Sequence, residues 1–111
     1  MSGLAAGDLD RRIIIQRATV TKGTHNADVE TWIVLARVWA GKKDVSDRER
    51  VAAAEVAAEI TTRFVIRWSS VVEDVGPRDR VVYDGRIYDI SAVKEIGRRD
   101  GLEISAAARA D

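Results

Sequence analysis

The segment Arg80-Val81-Val82-Tyr83-Asp84-Gly85-Arg86-Ile87-Tyr88-Asp89-Ile90 holds two β-rich runs separated by two residues. An Asp-Gly pair in that place reads as a hairpin turn. Both central residues adopt positive φ there, and the twist of the turn matches that of the strands on either side. The second run extends through Val93. Upstream, Thr62, Phe64, Ile66 and Trp68 alternate with Arg63, Val65 and Arg67, the period of a half-buried strand. Downstream, Asp100-Gly101 offers a second hairpin turn, with Leu102, Ile104 and Ala106 on one face and Glu103 and Ser105 on the other. Between the two regions, residues 69–78 form a loop punctuated by Gly76-Pro77.

The first half of the chain carries two more strands. Ile13, Ile14, Ile15 and Val20 are β-branched and favour a strand; residues 21–28, with Gly23 and Asn26, form a turn or loop. Residues 29–41 give the clearest strand. Trp32, Val34, Ala36, Val38 and Ala40 make one apolar face, and Ile33, Leu35, Arg37 and Trp39 the other. A strand apolar on both faces belongs in a closed or sandwiched sheet. Arg37 is then an edge charge or an interface contact. Trp32, Trp39 and Trp68 are expected in the core, although one of them on an outer face would be a hot spot for association.

Residues 44–59 break the β texture. Ser46 and Glu49 have capping-box spacing, so that each side chain can take a free backbone donor, and Val51-Ala52-Ala53-Ala54-Glu55 is rich in helix formers. An alanine stripe gains little by packing, which predicts one short helix in a long connection, ordered against a partner. The sum is a mainly β fold: a small antiparallel six-stranded barrel or rolled sandwich, with a short helix between strands 2 and 3. Residues 1–8, small and glycine-containing, read as a flexible arm, and residues 9–111 as one domain with its connection at 42–59.

Composition removes several functions. The 111 residues carry 18 basic and 18 acidic side chains, so bulk positive charge does not drive nucleic-acid or membrane-surface binding. There are no cysteines for disulfides, thiolate catalysis or zinc. No apolar run matches a membrane helix, and the first ten residues lack the pattern of a secretory signal, which predicts a soluble cytoplasmic product. His25 is the only histidine and lies in a polar loop. Glu55 and Glu59 read as a solvated pair, and there is no nucleophile elbow, P-loop or dinucleotide fingerprint. No enzyme, cofactor or metal site is expected. A second reading is a barrel that binds single-stranded nucleic acid through Arg63, Arg67, Arg78, Arg80, Arg98 and Arg99 beside Trp68 or Tyr83. Interleaved with these are Asp74, Asp79, Asp84, Asp89 and Asp100, which suit ion pairing or a charged protein interface better.

The ordered set of signals resembles the phage head–tail joining family, the small head-completion or stopper proteins of long-tailed bacteriophages, prophages and gene-transfer particles. Gly7-Asp8-Leu9-Asp10-Arg11-Arg12-Ile13 with Gln16-Arg17 is similar to the family's opening strand, and Trp32 with Val38-Trp39-Ala40 to its second. Glu49 stands in the helical connection where members carry a glutamate. Arg63-Phe64-Val65-Ile66-Arg67-Trp68 resembles the third strand; the stretch from Asp79 to Ile90, with Glu95 and Leu102, resembles the most characteristic segment. The likeness covers residues 7 to 106 and rests on fold-bearing motifs.

The resemblance implies a virion structural protein at the head–tail interface, made in the bacterial host. Copies would assemble as a ring, of six or twelve, beneath the portal or an adaptor. That ring would close the DNA-filled head, dock the tail terminator or another tail protein, and let DNA pass without sequence-specific binding. The connection at 42–59 would act as the gate, presenting Asp44, Ser46, Asp47, Glu49, Val51, Glu55 and Glu59 to the channel. Its excess of carboxylates, against Lys42, Lys43, Arg48 and Arg50, would repel phosphates. Ala52, Ala53 and Ala54 would let neighbouring copies approach closely. Arg37, Trp39, Arg63 and Arg67 are the expected interface residues.

Overall fold

A computed structural model describes residues 4–56 and 59–110. Residues 1–3 of the expected arm, 57–58 of the connection and 111 lie outside the described residues. Six strands and one α-helix follow in order: β1 (Arg11–Lys22), β2 (Asp28–Asp44), α1 (Asp47–Ala54), β3 (Thr62–Arg67), β4 (Asp79–Tyr83), β5 (Arg86–Ile96) and β6 (Gly101–Ala108). The strands close into an antiparallel barrel in the order β1-β2-β3-β6-β5-β4.

Alternation delivers the core. Ile13 and Ile15 from β1, Phe64 and Ile66 from β3, Val81 from β4, Tyr88 and Ile90 from β5, and Leu102, Ile104 and Ala106 from β6 all point inward and are buried. Phe64 stands at the centre. Its ring meets that of Tyr88 edge-on, with centroids 5.1 Å apart and planes at 88°. Val72 and Val75, from the loop before β4, are buried in the same cluster.

The hairpin at Asp84-Gly85 forms as its residues predict, with both in the left-handed region (φ 51° and 76°) and Tyr83 opposite Arg86. The second hairpin departs from the expected Asp-Gly turn. Residues 97–100 form a four-residue connection, Gly97 and Arg99 take the positive φ values, and Gly101 opens β6 opposite Ile96. Gly101 is needed there for space: a Cβ would stand 2.7 Å from the Ile66 carbonyl oxygen and 2.5 Å from the Leu4 side chain. Leu4 therefore lies against the barrel, and Ala6–Asp8 forms a short 3-10 turn ahead of the buried Leu9.

The main surprise is β2. Seventeen residues at about 3.3 Å each make it as long as the molecule, whose longest extent is 53 Å. It pairs with β1 over nearly its full length, but with β3 only through Ala40–Asp44. A β-bulge sets Leu35 between the pairs Ile15/Ala36 and Gln16/Val34, and past it β1 and β2 leave the barrel as a two-stranded arm. The apolar faces of β2 are consequently not covered as expected. Val29, Ile33, Val34 and Trp39 are exposed, and Trp32 and Trp68 are only half-buried.

Because the fully buried Phe64 fills the barrel from the middle of β3, Phe64→Ala is expected to destabilise the fold by about 3–5 kcal/mol. Urea denaturation followed by circular dichroism would show the loss as a lower midpoint with an unchanged slope.

Candidate channel and docking surfaces

The connection between β2 and β3 is joined to the barrel at few points. Val45 is buried and donates its amide to the Thr61 carbonyl at 2.9 Å. On the return side, the Thr61 amide donates to the Ala106 carbonyl at 2.9 Å, and the Thr61 hydroxyl accepts from the Ala108 amide, also at 2.9 Å. Between these points α1 buries no residue at all. Ser46 caps it as its spacing predicts, accepting the Glu49 amide at 3.2 Å.

The other half of the expected capping box takes a different form. The Glu49 carboxylate turns to Arg63 of β3, and the two form an ion pair. Arg63 is thereby shared, since its Nε lies 3.7 Å from the Glu103 carboxylate on β6 and, among the described atoms, makes no hydrogen bond. The Arg63 hydrogen bond, helped by its charge and that of Lys43, holds the Glu49 carboxyl below its ordinary value.

The remaining expected gate residues surround this contact. Asp44 pairs with Lys42 at 2.9 Å, and the fully exposed Asp47 side chain lies 3.8 Å from Arg50. Val51, Glu55 and Glu59 are exposed. Asp47, Arg50, Val51, Ala54, Glu59, Ile60 and Thr61 together line an open groove between α1 and the strand that follows it. The structure thus brings the expected gate residues into one segment with an exposed apolar tip.

The expected interface residues divide between the two ends of β3. Arg63, at the start of β3, meets the connection through Glu49, as described. Arg37, Trp39 and Arg67 gather at the other end, on the outer face of β1, β2 and β3, with Leu9, Arg12 and Trp68. Trp39 is 54% exposed, and the Arg12 guanidinium lies over its ring at 5.4 Å. Arg99 stands over Trp68 at 4.8 Å. Among the described residues, Arg12, Arg37 and Arg67 belong to no ion pair. Tryptophan and arginine around an apolar floor are the residues that dominate association energies.

The arginine patch expected of a nucleic-acid binder is assembled only in part: Arg67 and Arg99 stand beside Trp68, and others of the set are engaged elsewhere. Arg63 is paired as above, and Arg78 pairs with Asp74 at 3.0 Å. Arg80 stacks over Trp32 at 3.9 Å while donating to Gln16 at 2.7 Å. His25 is exposed at the tip of the arm, and the described residues contain no cluster of side chains suited to a metal ion. No helix among them is long and apolar enough to cross a membrane.

One network was not legible in the sequence. Asp79 is buried at 2% exposure and receives Arg17 in a two-pronged contact, Nε to Oδ1 at 2.9 Å and Nη2 to Oδ2 at 3.1 Å. The Gly76 amide completes its shell at 3.0 Å, and Arg17 also holds Asp74, whose carboxyl it keeps below its ordinary value. This clamp fixes the loop before β4 to the root of the arm.

Residues 4–109 match the sequence profile described as phage head completion protein. The solution structure of protein SF1141 from Shigella flexneri 2a is similar, with a TM-score of 0.77, 26% identity, and coverage of 97% of this chain and 99% of that one. A chain from the virion of a native gene transfer agent particle shares the fold, with a TM-score of 0.56, 20% identity, and coverage of 88% and 92%. No curated protein matches the sequence.

Two outcomes follow from the charge contacts. Since the folded value of Glu49 lies below the unfolded one, the pair stabilises the docked connection above the ordinary carboxylate range, and this is lost as pH falls through the folded value. An NMR titration of the Glu49 side chain is expected to give a midpoint below the usual glutamate value, returning towards it in Arg63→Met. Removing the partner of a buried carboxylate is costlier: Arg17→Met is expected to lose about 3 kcal/mol of stability in urea.

Proposed function

The chain belongs to the phage head completion protein family, and from that premise we propose that it is a connector subunit which closes the DNA-filled head and docks the tail. A virion structural role at the head–tail junction goes with the family; ring formation, gating and the division of surfaces are our reading. The observation that carries it is the connection from β2 to β3, a segment whose helix buries nothing and is held to the barrel side-on by one ion pair.

In this reading, copies form a closed ring with α1 directed at its axis, and the portal or an adaptor on the head side supplies the platform. Asp44, Asp47, Glu55 and Glu59 present carboxylates to the channel. Phosphates are repelled there, so DNA slides through without being held. Val51 and Ala54 provide the small apolar contact at which neighbouring connections meet when the ring is shut. Arg63 is the anchor: while it holds Glu49 the connection lies on its own barrel, and its Nε already stands near Glu103, a second carboxylate to pair with when the connection swings away. An element with two such arrangements is what a gate requires. At the other end of β3, Arg12, Arg37, Arg67 and Trp39 form the cationic and aromatic face for a tail-side protein. The gene transfer agent virion chain with the same barrel accords with a place in the particle.

Electron microscopy of particles produced without this gene tests the proposal. Emptied or leaking heads beside complete, unattached tails are the expected result; normal infective particles would contradict it. The purified chain is also expected to show no measurable binding to a short oligothymidylate at physiological salt. Salt-sensitive micromolar binding lost in Arg67→Glu would instead favour a single-strand-binding barrel.

A further inference from the structure

The arm formed by β1 and β2 carries free strand edges on both sides. Among the described residues, β4 pairs with β1 only from Ile14 to Arg17, and β3 pairs with β2 only from Ala40 onward. Residues 18–22 of β1 and 28–39 of β2 therefore each have one side without a neighbouring strand. Long exposed edges are templates for further strands, and proteins ordinarily shorten, charge or cover them. Here the edge is left long. Its side chains are largely apolar: Val20 is 66% exposed, Ile33 48% and Val29 44%.

The direction of the backbone groups can be assigned. The Gly23 amide donates to the Ala27 carbonyl at 2.7 Å, and the hydroxyls of Thr21 and Thr19 donate to the carbonyls of Val29 and Thr31. Those carbonyls face β1. Antiparallel pairs alternate between facing and turning away, so the groups of Glu30, Trp32 and Val34 point outward from β2, and those of their partners Val20 and Ala18 point outward from β1.

We infer that the arm is a self-association element, in which the outer edge of β2 in one copy pairs with the outer edge of β1 in the next. The occupant is a second copy because one arm supplies both halves of the contact. Copies related by rotation about an axis along the arm place β1 of the second antiparallel to β2 of the first, the orientation the hairpin already has. Each copy then gives one edge and receives one, a head-to-tail contact that closes into a ring when the rotation permits. The apolar side chains of neighbouring arms meet on both faces of the continued sheet. This deepens the ring reading above and rests on it, adding which backbone atoms make the joint.

Proline scanning with the full chain tests it. Proline at position 30 removes only an outward amide, whereas proline at position 31 removes one that faces β1 and disrupts the arm itself. Sedimentation of the wild type is expected to show concentration-dependent association. Glu30→Pro is expected to weaken it about tenfold through loss of an intermolecular hydrogen bond while leaving the intramolecular β1–β2 contacts seen by NMR intact. On association, amide exchange should slow at Ala18, Val20, Glu30, Trp32 and Val34. A chain that stays monomeric at millimolar concentration overturns the inference. So does an oligomer that forms without protecting these amides and is indifferent to Glu30→Pro, an outcome that leaves the ring itself standing on another surface.

Discussion

β2 is almost three times as long as β3, the strand it must pair with to close the barrel, and the rest of the molecule is arranged around that mismatch. Only Ala40–Asp44 can take part in closure. The remaining twelve residues have a strand partner in β1 alone; Ala36 and Val38 still pack against the core, and beyond the bulge at Leu35 residues 28–34 leave the barrel as an arm. The same strand ends at Asp44, where α1 and its connection begin. A single strand thus carries the free-edged arm at one end and leads into the loosely held helix at the other. Burial follows suit: the barrel half of β2 contributes Ala40 to the core, while the arm half contributes exposed valines and isoleucine.

Charge is sorted along the same axis. A chain with equal numbers of acidic and basic groups carries no net charge, yet locally it is far from neutral. Structural charges are matched, as in the clamp of Arg17 on the buried Asp79 or the two-pronged contact of Arg109 with Asp89 at 2.8 and 2.9 Å. Among the described residues, Arg12, Arg37 and Arg67 stand outside such pairs on one face, and of the connection's carboxylates Glu55 and Glu59 stand outside them at the other end of β3. Complementary surfaces held apart on one subunit are satisfied between subunits or by partners, and they cost little solubility meanwhile.

Structure is legible in the sequence where a few neighbouring residues settle the geometry. Asp84-Gly85 dictates its turn through backbone sterics, the Thr62-to-Trp68 alternation dictates an inward face, and Ser46 caps a helix three residues before the amide it accepts. The failures have a common cause. Alternation tells which side chains share a face of β2 but not whether anything covers that face, so Trp39 stands exposed and Trp32 half-buried, while Trp68 packs only against the rim of the core. Asp100-Gly101 resembles a two-residue turn, yet the close approach of Ile66 and Leu4 to Gly101 requires that glycine inside the strand. Pairs such as Arg63 with Glu49 and Arg17 with Asp79 join segments 14 and 62 residues apart in sequence, and only the closed topology brings them together. Nor does spacing in the sequence show that Arg63 meets Glu49 of the connection while Arg37, Trp39 and Arg67 lie together at the other end of β3.

The central claim is that this barrel is a part made to be joined, with its connection turned to a channel and its arm turned to a neighbour. A reconstruction of the head–tail junction in the intact particle tests that claim most directly. The account predicts a ring of these barrels at the junction, α1 facing the axis and the β1–β2 arms in contact from copy to copy. A junction without this chain, or a ring in which α1 faces outward and the arms stand free in solvent, would contradict it.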